Sequence, residues 1–183
     1  MMHVAEGSVG FFTVLDCLAT SAVPLAQHPY ANYVIQHALQ VLAHTTPPPL
    51  PHLQIWSFNY THQLMSAYSG WLVVLSSQKI SSNVVEVLLE YSAGDLRRGF
   101  LEELLSEVAV YHMMLSPFGI FIAQKVLGVA TDPEPYRFVM FTVFNKYYEH
   151  IGCDKVRRRW GQLVAGFEFS RSCVQSSFTV AHV

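Results

Sequence analysis

A chain of 183 residues is one domain's worth, long enough to enclose a continuous core. It is 51% apolar and only 13% charged, which excludes intrinsic disorder. The net charge of −2 lacks the basic signature of tight polyanion binding, and no Lys or Arg precedes Lys79. Any grip in the first half must therefore come from neutral groups and stacking. Cys17, Cys153 and Cys173 are far apart and form no CxxC, which argues against a disulfide framework or zinc ribbon and fits a reducing compartment. No apolar run reaches the ~18–20 residues that span a bilayer, so no membrane partner is expected. Val9 to Leu15 is apolar, but Asp16 interrupts it and no basic residue precedes it, so it does not read as a signal peptide.

Residues 9–22 read as an amphipathic helix with Phe11, Val14, Leu15 and Leu18 at helical spacing, ended by Pro24. After a turn at His28-Pro29, a helix is expected near 30–44. The Pro-rich stretch 45–51, TTPPPLP, favours an extended segment and reads as an insertion between repeating units. Leu53 to Ala67 looks helical, and Gly70 to Ser76 is a short buried helical turn. A helix is expected near 81–91, with Gly94 as its C-terminal cap. Asp95 to Met114 reads as one helix with Leu101, Leu104, Leu105 and Val108 on its stripe and Glu102, Glu103 and Glu107 solvated. Further helices are expected near 118–130, over 136–150, and over 156–167, where Arg157, Arg158 and Arg159 read as a solvated face. The Ser-rich residues 168–183 read as a C-terminal tail. Helix follows helix with Pro or Gly punctuation, so the expected fold is all-α: an α-solenoid over 1–167.

Three of these helices share one layout. The first is centred on Asn32-Tyr33-Val34-Ile35-Gln36. Asn32 and Gln36 are four apart and share a helix face, with Tyr33 beside them and Val34, Ile35 and Leu39 turned toward a core. An amide pair can grip the polar edge of a flat molecule while a ring stacks on its face, as single-stranded RNA bases are usually held. Ser82-Asn83-Val84-Val85-Glu86 repeats the layout with other side chains, and Ile120-Phe121-Ile122-Ala123-Gln124 repeats it more loosely. The second interval lies within the roughly 20–45 residues of common stacked repeats, and the first exceeds it by the insertion.

NYVIQH at 32–37, SSNVVE at 81–86 and FGIFIAQK at 118–125 resemble the Pumilio (PUF) repeats, in the order of the last three of that family's usual eight. Tyr111-His112-Met113-Met114 is similar to the segment leading into the family's last repeat. The resemblance implies a right-handed superhelical stack that binds single-stranded RNA, one base per repeat, through two edge contacts and one stacking side chain. It implies that Asn32 and Gln36 hold a uracil edge with Tyr33 stacking. It implies likewise that Ser82 and Glu86 hold guanine with Asn83 packed against it. An ionised Glu only accepts, matching guanine's N1–H and N2–H pair, whereas adenine would leave it unpaired at about 1–3 kcal/mol. In the third unit Gln124 matches and Phe121 can stack or enter the core, but Ile120 stands where uracil readers carry Asn and cannot hydrogen-bond. The RNA of this family runs antiparallel to its repeats, so the implied preference is U-G-U, with the first U weakly enforced. Three units in place of eight imply reduced affinity. The implied role is cytoplasmic: binding UGU elements in mRNA 3′ untranslated regions and recruiting repressor or deadenylation-complex proteins, with no DNA partner.

Catalytic chemistry finds no support. There is no GxSxG, HExxH or P-loop, no cofactor motif, and Cys17 has no identifiable base. His150 with Cys153 is the closest metal-ligand pair and has no second pair, so no metal site is expected. Two alternatives stay open: a helical scaffold for protein–protein contacts that has lost RNA binding, favoured by Ile120 and the low basic content, and a nucleolar relative that binds ribosomal RNA.

Overall fold

A computed structural model describes residues 9–44 and 51–167. Every regular element among them is helical. The chain runs α1 (Val9–Thr20), α2 (Ala22–Gln27), α3 (Ala31–His44), α4 (Pro51–Ser66), α5 (Leu72–Ser76) and α6 (Ser81–Tyr91). It continues through α7 (Gly94–Leu105), α8 (Glu107–Leu115), α9 (Gly119–Val129), α10 (Glu134–Tyr147), a 3-10 turn (Tyr148–His150) and α11 (Asp154–Ala165).

The helices come in threes. The short helices α2, α5 and α8 each pack on the motif helix that follows, α3, α6 and α9. The three motif helices lie side by side in one layer. Behind them α4, α7 and α10 form another row, with α1 against α4, and α11 closes the far end against α8, α9 and α10. One continuous core joins the units, including Ile35 and Leu39 of α3, Val85 and Leu88 of α6, and Ile122 and Val126 of α9. A unit of three helices cannot enclose its own apolar face, so burial is completed by the neighbouring unit. This is an all-α solenoid.

Polar groups pin the corners. The carboxylate of Glu103 on α7 accepts the backbone N–H groups of Gly70 and Leu72, each at 2.7 Å, holding the turn that starts α5. Gly119 opens α9 so close to the preceding helix that a Cβ there would collide with the backbone of Met113. Tyr68 is buried and donates its hydroxyl to Ala22 O at 3.1 Å, tying the end of α4 to α2.

Several local expectations are corrected. Pro24 does not end the first helix: the break falls at Ser21, and Pro24 sits in the first turn of α2, where a missing N–H costs nothing. The 95–114 helix is two helices. Ser106 breaks it and caps α8 by accepting from Ala109 N at 3.1 Å, which leaves Val108 exposed rather than on the stripe. Glu103 and Glu107 are not merely solvated, since Glu107 accepts from Lys146 and Tyr147, each at 2.7 Å. Gly94 does not cap α6, which closes through Ser92 N–H to Leu88 O; with φ of +54° it turns the chain into α7. Residues 45–50 and the tail 168–183 lie outside the described residues.

Candidate nucleic-acid interface

The first unit is built from the loop before α3. His28 Nδ1 accepts the N–H groups of Tyr30 and Ala31 at 3.2 and 3.1 Å, satisfying donors that a helix start leaves orphaned. Asn32 Nδ2 donates to His28 O and Pro29 O, both at 2.9 Å, and Asn32 Oδ1 accepts from Gln36 Nε2 at 2.9 Å. Only an NH₂ group can donate to two carbonyls, so the amide orientation follows from its partners. Asn32 is 2% exposed. Its amide is spent on local structure, and the outward polar edge of the pair belongs to Gln36. Tyr33, 65% exposed, stands beside it as a free stacking face. Val34 is exposed too, contrary to its expected core role, whereas Ile35 and Leu39 are buried.

The second unit lies on the adjacent helix. Ser82 is buried, with Oγ 3.5 Å from Lys79 O, at the outer limit of a hydrogen bond. Asn83 is exposed, and Glu86 is half-buried with no hydrogen bond to it among the described residues. Burial pushes the Glu86 carboxyl above the ordinary 4.5, opposed by Lys125 and reinforced by Glu90. Lys125 on α9 bonds Glu90 at 2.9 Å, bridging the two motif helices next to this carboxylate. Arg97 donates to Glu90 O at 3.0 Å, and Arg98 pairs with Asp95.

The third unit is different. Ile120 is 3% exposed and belongs to the core, so only Phe121, 45% exposed, and Gln124 face outward. They border a cleft of ≈ 550 Å³ whose other wall is α11 and the segment after it, with Arg159, Gln162 and Phe167. The Arg159 guanidinium lies over the Phe121 ring, 5.8 Å from its centroid. Of the arginine run, Arg157 donates to Ile151 O at 2.6 Å and lies over Tyr148, whereas Arg158 and Arg159 are exposed. Sequence reasoning missed Arg159 and Gln162. Their spacing of three places them on one helix face, but nothing in the sequence says that this face meets Phe121.

No group of three His, Cys, Asp or Glu among the described residues could hold a metal ion, and His150 instead meets the Tyr111 hydroxyl at 3.1 Å. No helix among them is long and apolar enough to cross a membrane.

Comparison with known proteins matches this arrangement. A family profile described as the Pumilio-family RNA binding repeat matches residues 21–43 and 72–105, which hold α2–α3 and α5–α7. The chain is similar to Pumilio homolog 12 of Arabidopsis thaliana, 32% identical over 110 residues, covering 60% of this chain and 16% of that protein. It is also similar to the Pumilio domain-containing protein C6G9.14 of Schizosaccharomyces pombe, 24% identical over 118 residues, covering 64% of this chain and 15% of that one. The chain thus spans about one-sixth of the length of these relatives. Among solved structures it resembles the Puf3 RNA binding domain bound to two sites, B and A, of the Cox17 RNA 3′ UTR recognition sequence. The TM-scores are 0.66 and 0.63 at 19% identity, covering 86% of this chain and 47% and 46% of those. At that identity the likeness is one of fold.

Proposed function

We propose that this chain, which matches the Pumilio-family RNA binding repeat over residues 21–43 and 72–105, binds single-stranded RNA through the outward faces of α3, α6 and α9. It prefers U-G-U read 5′ to 3′ from α9 to α3, with the first U only weakly enforced because Ile120 offers no hydrogen bond, and acts in post-transcriptional regulation of mRNA with no catalysis of its own. The observation that carries this reading is Glu86, an acceptor held half-buried, without a hydrogen-bond donor among the described residues, beside the exposed Asn83. Guanine alone among the bases presents two adjacent donors that would satisfy it. One helix away, the outward edge of Gln36 and the ring of Tyr33 supply the amide and stacking face that uracil requires. Fluorescence anisotropy on matched RNAs containing UGU or UCU, at fixed salt, tests it. A preference for UGU that disappears in Glu86→Ala supports the reading. Equal, salt-sensitive binding to both RNAs favours the second reading, a helical scaffold acting through protein contacts, for which the low basic content speaks.

A further inference from the structure

We propose that Lys125 of the third unit is a positioning residue for guanine reading in the second: bound to Glu90, it sets a positive charge beside Glu86 and holds that carboxylate in the acceptor form that guanine needs. The inference rests on the RNA-binding reading above. Glu86 and Glu90 stand four residues apart on α6, so they share a helix face with Cβ atoms about 5–6 Å from each other. No Lys or Arg lies on α6 between Ser81 and Tyr91. The position after Glu86, where the third unit has Lys125 after Gln124, holds the buried Val87. A half-buried carboxylate beside a like charge, with no cation on its own helix, is pushed toward the neutral form. The missing counter-charge crosses from the next motif helix. Lys125 Nζ on α9 meets Glu90 Oε2 at 2.9 Å, and the Lys125 side chain is only 27% exposed, so salt and water screen it less than a surface cation.

The other helices packed on α6 do not supply this charge. α2 and α5 carry no ionisable side chain, and α3 has no Asp, Glu, Lys or Arg; its titratable groups are Tyr33, His37 and His44. On α7, Arg97 donates to Glu90 O, Arg98 pairs with Asp95, Glu103 closes the α5 turn, and Glu102 acts on Tyr136. Lys79 is exposed about two turns before Glu86. Lys125 is the one charged residue of α9. Burial raises the Glu86 carboxyl above its ordinary value, Lys125 lowers it, and Glu90 raises it. The two partners of one bridge therefore act on Glu86 in opposite senses. That opposition separates a charge-setting role from a purely structural one. A bridge that served only to pack α6 on α9 would respond alike to the loss of either end.

The test follows the UGU-over-UCU preference of the intact chain from about pH 4.5 to about pH 8. Its readout is the pH at which half of the preference is lost. Lys125→Met keeps the alkyl stem and should raise that pH by about half a unit or more. Glu90→Gln removes the like charge and frees the ammonium, so it should lower that pH by a similar amount. Lys125→Arg should follow the wild type, and the double variant Lys125→Met with Glu90→Gln should fall between the two single ones. Where Lys125→Met does not fold, Glu90→Gln decides alone: a lowered midpoint supports the inference, and an unchanged or raised one overturns it. Midpoints that move in the same direction in both single variants, or do not move, would overturn it. So would an equal loss on both RNAs in Lys125→Met with the preference unchanged at every pH, which would make Lys125 a phosphate contact. The wild type separates the two levels. If it shows no preference for UGU at any pH, the RNA reading itself fails; if the preference is there and the variants do not diverge, only the role of Lys125 fails.

Discussion

Gln36 donates to Asn32 across one turn of α3 at 2.9 Å, and Asn32 in turn donates to both His28 O and Pro29 O. The two amides have separate jobs. Asn32, buried, locks the entry loop; Gln36 faces outward. Asn32→Ala should therefore destabilise the fold by about 1–3 kcal/mol in urea titrations, because Pro29 O loses the side-chain donor and His28 O keeps only the backbone N–H of residue 32. Gln36→Ala should leave the urea midpoint almost unchanged and lower affinity for UGU RNA. If the two variants lose stability equally, this division of labour is wrong.

Glu103 makes the same kind of tie at another corner, closing the α5 turn through two backbone N–H groups. Glu103→Ala should cost about 1–3 kcal/mol, and Glu103→Gln less, since an amide keeps one acceptor oxygen. Thermal unfolding of the two variants beside the wild type measures the order, and a Gln variant no more stable than the Ala variant would count against a paired acceptor role.

Gly119 has no room for a side chain against Met113. Gly119→Ala should be destabilising by about 2 kcal/mol or more, far beyond its helix-propensity gain, because backbone rather than a flexible side chain must move. A neutral effect on the urea midpoint would show that α8 and α9 can separate freely.

Glu86 gives the account a pH signature. Its carboxyl titrates above the usual 4.5, chiefly from burial, so the folded state holds this proton more tightly than the unfolded state does. The sign follows. Stability from this group is full below the unfolded pKa and is lost as pH rises through the folded one. Glu86→Gln should accordingly be more stable than wild type at pH 7, with the difference vanishing in acid. Guanine needs the ionised carboxylate, so the UGU-over-UCU preference should shrink as pH falls into the titration range of Glu86. A preference flat across that range would exclude the carboxylate as the guanine contact.

The repeating layout was legible because it is local. Asn32–Gln36, Ser82–Glu86 and Phe121–Gln124 each sit within one helical turn or so, and the 3.6-residue period fixes which side chains share a face. What the sequence hid depends on contacts between distant segments. Glu103 reads as a surface acid until the Gly70–Leu72 turn arrives beside it. Arg159 reads as a solvated cation until α11 folds back over Phe121. Asn32 reads as a base contact, whereas the loop carbonyls of His28 and Pro29 have already claimed its amide. Ser106 escaped notice for a subtler reason: the apolar spacing continues through it, and only its side-chain cap on Ala109 marks the break.

The most direct test of the central claim is a two-by-two binding cycle between Glu86 and the guanine it is proposed to read. Wild type and Glu86→Ala would each be titrated with UGU RNA and with the same RNA carrying inosine for guanine, which lacks only the N2 amino donor. The account predicts that inosine weakens wild-type binding by about tenfold and leaves Glu86→Ala unaffected, a coupling of roughly 1.4 kcal/mol. The same inosine penalty in both proteins would contradict it, because the N2 donor would then be met somewhere other than Glu86.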